Sequence, residues 1–512
     1  MIPKYSFIIV FLLIGAKVCH AQNTYQQWLK QQNKEYNQYL SQQDSEFINF
    51  LKKNWIRVKV NKGINTFHKP KPQQPVVRKP ARKPNESFKI PVNPKPRKRK
   101  KSVISSPKKS NGTLSENSKP SKNKINESGT NPVKKNVQKP ANVPRSFVHN
   151  INYFDDNLSV IYNKKLNVNL AQKISNNSIA DYWEKISKTK YRFSLKRALI
   201  LDRNRKLNGW GYAKLLYDIG ERITDGNRNA TYLFTWFMLV KSGYLARVGF
   251  ENNKVYLLIS TSNKVYSTPY FYLHKPDGKF YVLLLTHDEH EPSKPMYTYR
   301  GSYPGKLHEL SLGFNNLPEL GNSIGKKVIH FSYQGKKFAL PVEYNRNLID
   351  FYHYYPHTNL AVYFSSKLSK AAQETLLPKL RKLIKGKTET QSANFILHFV
   401  QYATKYETDQ KQFGWEKPFF PEESMYYPYS DCEDRAVLFS YLIQNLMGLK
   451  VIGLKYPDHV TTAVKFTVPM KGDYLLYKGQ KYFICDPTYI NASIGESMPR
   501  FRNVPAKIVY AH

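Results

Sequence analysis

The sequence predicts an α+β protein with antiparallel sheets, built largely from residue 146 onward. Three observations carry that expectation. Aromatic-rich alternating runs interleave with amphipathic helical patterns along residues 146–512. Short turns join neighbouring runs, as at Gln334-Gly335 within "HFSYQGKKFALPVEY" (330–344). One helix-then-strands pattern also occurs twice. "YLFTWFMLVKSGYLARVGF" (232–250) lines up with "VLFSYLIQNLMGLKVIGL" (437–454), and "KFYVLL" (279–284) with "KYFICD" (481–486).

The elements follow in chain order. Lys4, the apolar run "SFIIVFLLIGA" (6–16) and "VCHA" (18–21) read as an export signal cut before Gln22. The apolar run is short for a membrane span, so the expected location is periplasmic or secreted, with envelope association open. Residues 25–55 repeat with a period of 11: Tyr25, Tyr36 and Phe47 correspond, as do Trp28, Tyr39 and Phe50, and Leu29, Leu40 and Leu51. That period keeps one apolar stripe on a helix. The stripe suits self-association in a coiled coil, docking on a partner, or packing on the chain's own domain.

The chain carries 80 Lys/Arg against 37 Asp/Glu, a net charge of +43. Residues 61–145 hold 23 basic and 3 acidic residues with 13 prolines, which predicts an extended, disordered linker. Its charge suits an acidic envelope polymer or an anionic membrane surface, or a solvated spacer. Nucleic acid is not the expected partner, because no aromatics interleave to stack on bases.

Further on, "KVYLLIST" (254–261) and "KFYVLLL" (279–285) read as strands, and residues 369–386 and 392–406 as helices. "HDEHE" (287–291) reads as an exposed loop after a strand rather than a metal site. The sequence has no Gly-rich phosphate loop and no zinc cysteine pairs, so no cofactor or metal is expected.

The chemistry concentrates near the C-terminus. "EDRAVLFSYLIQNLMG" (433–448) has helical spacing, with Gly448 at its end and Asp431 at or beside its N-cap. Cys432 then lies at the positive end of the helix, where free N–H groups favour a thiolate and an oxyanion. His459 opens a strand, and Asp486 closes a hairpin that turns near Lys478-Gly479. Asp431, Glu433 and Asp434 crowd the thiol and oppose its ionisation. Of three cysteines, Cys19 leaves with the signal. Cys432 and Cys485 form one disulfide or stay free; if Asp486 points at His459, its neighbour Cys485 points away, which disfavours the disulfide.

These residues, "DCEDRA" with the helix that follows, a His at the head of a strand, and "YFICDPTY", resemble the transglutaminase-like cysteine enzyme superfamily across about residues 392–495. The resemblance implies a papain-like core with Cys432 as nucleophile, His459 as general base and acid, and Asp486 as orienting carboxylate, in an exported bacterial member. It implies acyl transfer from a peptide or glutamine amide, with hydrolysis favoured over crosslinking. Thr461 departs from the aromatic that many relatives carry two residues after the His. In the second alignment Cys432, His459 and Asp486 face Asn227, Lys254 and Leu284, so the earlier unit is expected to be a degenerate copy. The competing expectation is a non-catalytic envelope scaffold that keeps the fold.

The expected organisation is therefore a signal (1–21), an amphipathic helix (22–58), a basic linker (59–145), a degenerate unit (146–295), a β-rich connection (296–365) and a catalytic unit (366–512).

Overall fold

The structure is a computed structural model, and it describes residues 6–63, 74–78, 87–92, 148–273, 278–286, 291–292 and 295–512. Four of the five residues of "HDEHE" fall outside that set. Helix α1 (Ser6–Lys53) leads into β1 (Trp55–Val58). A hairpin of β2 (Val148–Tyr153) and β3 (Asp156–Ile161) precedes α2 (Asn176–Ser187), α3 (Tyr191–Arg205), α4 (Gly209–Ile223) and α5 (Arg228–Lys241). Then come β4 (Ala246–Glu251), β5 (Lys254–Ile259), β6 (Tyr270–Tyr272), β7 (Lys279–Leu283) and β8 (Met296–Tyr299).

A long hairpin, β9 (Ile324–Tyr333) and β10 (Lys336–Asn345), turns at Gln334-Gly335, both at positive φ. It is followed by α6 (Arg346–His353), α7 (Leu360–Phe364), α8 (Lys370–Ile384) and α9 (Glu389–Ala403). Short pieces follow: β11 (Lys405–Tyr406), α10 (Asp409–Gln412), α11 (Glu423–Tyr426) and β12 (Tyr429–Ser430). Helix α12 (Cys432–Met447), β13 (Lys450–Lys455), β14 (Val460–Lys465), β15 (Tyr474–Tyr477), β16 (Gln480–Cys485) and β17 (Lys507–Ala511) complete the chain.

Two antiparallel sheets share the order of five strands, and the first has β1 as an added edge. The first runs β1-β8-β4-β5-β7-β6, and the second β17-β13-β14-β16-β15. Helix α5 packs on β4 and β5 just as α12 packs on β13 and β14. Each helix leads directly into the strand pair it covers, so the apolar stripe and the alternating strands bury each other. The pairings also fix the correspondence of residues. Gly249 pairs with Tyr256, and Gly453 with Thr462. Leu257 pairs with Leu283, and Ala463 with Ile484. Aligned on the two glycines, Asn253 and Leu285 stand where the second unit has His459 and Asp486. The sequence alignment, which chose Lys254 and Leu284, is off by one residue there. Asn227 is the N-cap of α5, whereas Cys432 is the first residue inside α12, so it matches Asp431 instead.

Three expectations change at the N-terminal side. The helix expected over 22–58 stops at Lys53, and Trp55–Val58 pairs with β8 as an edge of the first sheet. Trp55 is followed by a β-branched run that fits a strand better than a fourth repeat. The third repeat is not free to dock elsewhere. Phe47 and Leu51 are buried, and Phe47 lies edge-on to Trp183, Tyr299 and Tyr303. Trp28, Tyr36 and Tyr39 of the first two repeats are exposed.

Short described pieces of the linker expected over 59–145 are anchored on the folded units. Asn61 bridges to Tyr270, Val77 to Ile490, Lys89 to Tyr474 and Val92 to Ala506. The few apolar residues of this stretch supply its anchors: Ile90 is buried, with Val76 and Val92 packed against the same cluster. Among the described residues no helix is long and apolar enough to cross a membrane.

Replacing Phe47 with Ala should cost about 3–5 kcal/mol of unfolding free energy. Trp28→Ala, at an exposed site, should change it by less than about 0.5 kcal/mol. Urea denaturation of both variants checks this, and a similar loss in the two would contradict the packing described.

Candidate active site

The site is built where α12 begins. Asp431 is its N-cap in extended conformation, and Gly448 closes it at positive φ. Asp434 reaches back to accept the Asp431 N–H at 3.0 Å and takes the Phe419 N–H at 2.8 Å. These bonds tie the helix start to the segment before it and fix the backbone at Cys432. Cys432, Asp431, Glu433 and Asp434 are all fully buried.

The thiol makes no hydrogen bond to His459 Nδ1. Cys432 Sγ donates to Glu433 Oε2 at 3.0 Å. Burial, followed by the charges of Asp431 and Glu433, pushes the Asp434 carboxyl well above the usual carboxylate range. Arg435 is the local cation. Burial lowers its guanidinium to about 10, and it donates to Ser430 Oγ and Thr404 O.

His459 and Asp486 do meet. His459 Nε2 and Asp486 Oδ2 are 2.8 Å apart, both side chains buried. The register of β14 on β16, with Thr462 opposite Cys485, brings them together. Asp486 Oδ1 accepts the Thr488 N–H at 3.0 Å, so the carboxylate is fixed at both oxygens. The carboxylate in turn sets the tautomer: with Nε2–H donated to Asp486, Nδ1 carries the basic lone pair. That Nδ1 is buried and makes no hydrogen bond. The ring lies parallel to Phe501, with centroids 5.1 Å apart and an interplanar angle of 2°.

The structure therefore joins His459 to Asp486, and places Cys432 at the neighbouring helix start without a hydrogen bond to His459. Helix α12 packs on β14, and Cys432 shares a buried cluster with Val460, the residue after His459. Phe501, stacked on the imidazole, and Tyr456, stacked on Phe501, belong to a different cluster. Neither Cys485 nor Cys432 is in a disulfide. Cys485 packs in a third cluster, on the side away from Asp486, and burial raises its thiol.

Several residues here were not read from sequence. Gln401 on α9 donates to the carbonyls of Tyr489 and Ala492, both at 3.0 Å, and clamps the loop after Asp486. Phe501 covers one face of the imidazole. Both act across long sequence separations, where spacing carries no signal. Asp409 and Glu416 add to the acidic group, as Asp409, Asp431 and Asp434 bring ligand-type oxygens within 4.8 Å of one another. The Lys417 N–H already occupies Asp409, at 2.9 Å, and two backbone N–H groups occupy Asp434. These oxygens serve as acceptors that order the loops around the helix start.

No protein-family model, no curated protein and no solved structure matches this chain. The site must be read from its own geometry.

Because burial raises the Asp434 carboxyl, the folded state keeps its proton to higher pH than the unfolded state, which releases it above about pH 4. The stability this group contributes is therefore present below about pH 4 and is lost as pH rises, at up to about 1.4 kcal/mol per pH unit. Asp434→Asn removes the titration and should flatten that dependence. Urea midpoints for both proteins at pH 4.5 and 7 check it, and equal slopes would contradict it.

Proposed function

We propose that the chain is a thiol-dependent acyl-transfer enzyme of transglutaminase-like type. The observation that carries this reading is the buried His459–Asp486 pair with an unoccupied Nδ1, next to a helix that begins at a cysteine. The matching order of the two sheets, with the three polar positions filled differently in the first, fits a degenerate unit beside a working one.

In this mechanism Cys432 leaves Glu433, and its proton passes to His459 Nδ1. The sulfur attacks the carbonyl carbon of a peptide or glutamine amide, forming a C–S bond. N–H groups of the first turn of α12 hold the oxyanion. The tetrahedral adduct collapses as His459 returns the proton to the departing amine. Asp486 holds the imidazole in the tautomer that keeps Nδ1 basic. Water then releases the acid, and His459 acts as the base again. An amine in place of water would give transfer; hydrolysis to a peptidase or deamidase product is the outcome we favour. Export to the periplasm or beyond, and attraction of the basic arm to an acidic envelope surface, remain part of the same proposal.

A second reading has an observation of its own. The thiol bonds to Glu433 and the whole site is buried, as expected of a fold retained for binding without turnover.

Intact-mass analysis of glutamine-containing and envelope-derived peptides separates the two. Wild type should give cleavage, a gain of about one dalton from deamidation, or an amine adduct. Cys432→Ala should abolish the reaction, and His459→Ala should slow it by about 10²–10⁴. Turnover that survives Cys432→Ala, or no product from wild type on any peptide, would refute the enzymatic reading.

A further inference from the structure

Two stretches of the basic arm lie on the side of the second sheet that carries the His459–Asp486 pair. Around residues 87–92, the Tyr474 N–H bonds to Phe88 O at 2.9 Å, and the Ile90 N–H bonds to Tyr474 O at 2.7 Å. The arm thereby adds to β15, the edge strand of the sheet. The Phe88 N–H bonds to Asp473 Oδ1, and the Ala506 N–H to Pro91 O, both at 2.9 Å. Around residues 74–78, the Ile490 N–H bonds to Val76 O at 2.8 Å and the Arg78 N–H to Ile490 O at 2.9 Å, while Arg78 pairs with Glu496 at 2.8 Å.

These contacts fall on the two loops that hold the pair. Ile490 is four residues beyond Asp486, in the loop that fixes its carboxylate. Arg502 follows Phe501, the ring stacked on His459, and its guanidinium sits 4.6 Å over the ring of Phe88. Ile90, only 1% exposed, shares one cluster with Phe501, the ring stacked on the imidazole, and with Tyr456, which stacks on Phe501 in turn. His459 itself is wholly inaccessible. An extended, Lys- and Pro-rich stretch has no physical need for this many specific contacts if it is only a spacer.

We propose that residues 74–78 and 87–92 form an intramolecular strap that keeps the His459–Asp486 pair closed, and that release of the strap exposes the imidazole. The proposal takes its functional meaning from the acyl-transfer reading, but its test does not require turnover. Strap release frees the 499–502 turn, Phe501 lifts from the ring, and His459 becomes open to solvent and substrate.

The test uses the full chain and two chemical probes mapped by peptide mass. Diethyl pyrocarbonate reports access to His459, and iodoacetamide at Cys485, buried in a separate cluster, reports global unfolding. Ile90→Asp and Arg78→Glu should each accelerate modification of His459, Ile90→Asp by at least tenfold, with the Cys485 rate unchanged. No change at His459 in either variant would overturn the strap. So would His459 and Cys485 rates rising together, which would make the arm a general part of the fold. Exposed His459 without any peptide turnover would instead count against the enzymatic reading and leave the strap standing.

Discussion

The account depends on one buried bond, between the imidazole of His459 and the carboxylate of Asp486. Taking both groups out of water is costly unless they satisfy each other. Their separation of 2.8 Å, with the second carboxylate oxygen bound to a backbone N–H, meets that condition. The bond exists because β14 and β16 are neighbours in a single register. A slip of one residue would turn each side chain to the other face of its strand. The β15–β16 hairpin, turning at Lys478-Gly479 with both residues at positive φ, sets one boundary of β16. Gln401 holds the loop beyond its other end.

The first sheet, whose strands follow the same order, shows what a similar frame does without that pair. In the first unit the position matching His459 is Asn253, whose side chain accepts the Ile174 N–H and donates to Gln172 O. The position matching Asp486 is Leu285, buried in the core. One unit uses the strand ends to fix neighbouring loops, and the other uses them to hold an imidazole. The fold requires neither choice, so the polar pair in the second unit calls for a reason beyond stability.

Much of this was legible in the sequence where the signal is local. The start and end of α12 follow from Asp431 and Gly448, and both long hairpins follow from Gly-containing turns between alternating runs. His459 at the head of one strand and Asp486 at the end of another marked two elements whose side chains meet. Glu433 was recognised as crowding the thiol, but the bond between them needs a rotamer that spacing does not specify. Composition alone does not show which stretches of the arm are held. The anchors are single residues such as Val76 and Ile90, which pack against partners some 400 positions away. The one-residue error in aligning the two units arose because β4–β5 and β13–β14 turn through loops of different length.

The central claim is that His459 acts on Cys432 despite the resting bond of the thiol to Glu433. The most direct measurement is the pH dependence of Cys432 alkylation in wild type and in His459→Ala, each rate normalised to Cys485. The account predicts a wild-type profile with a pH-dependent step that disappears in the variant. Superimposable profiles would show that the imidazole and the sulfur do not communicate.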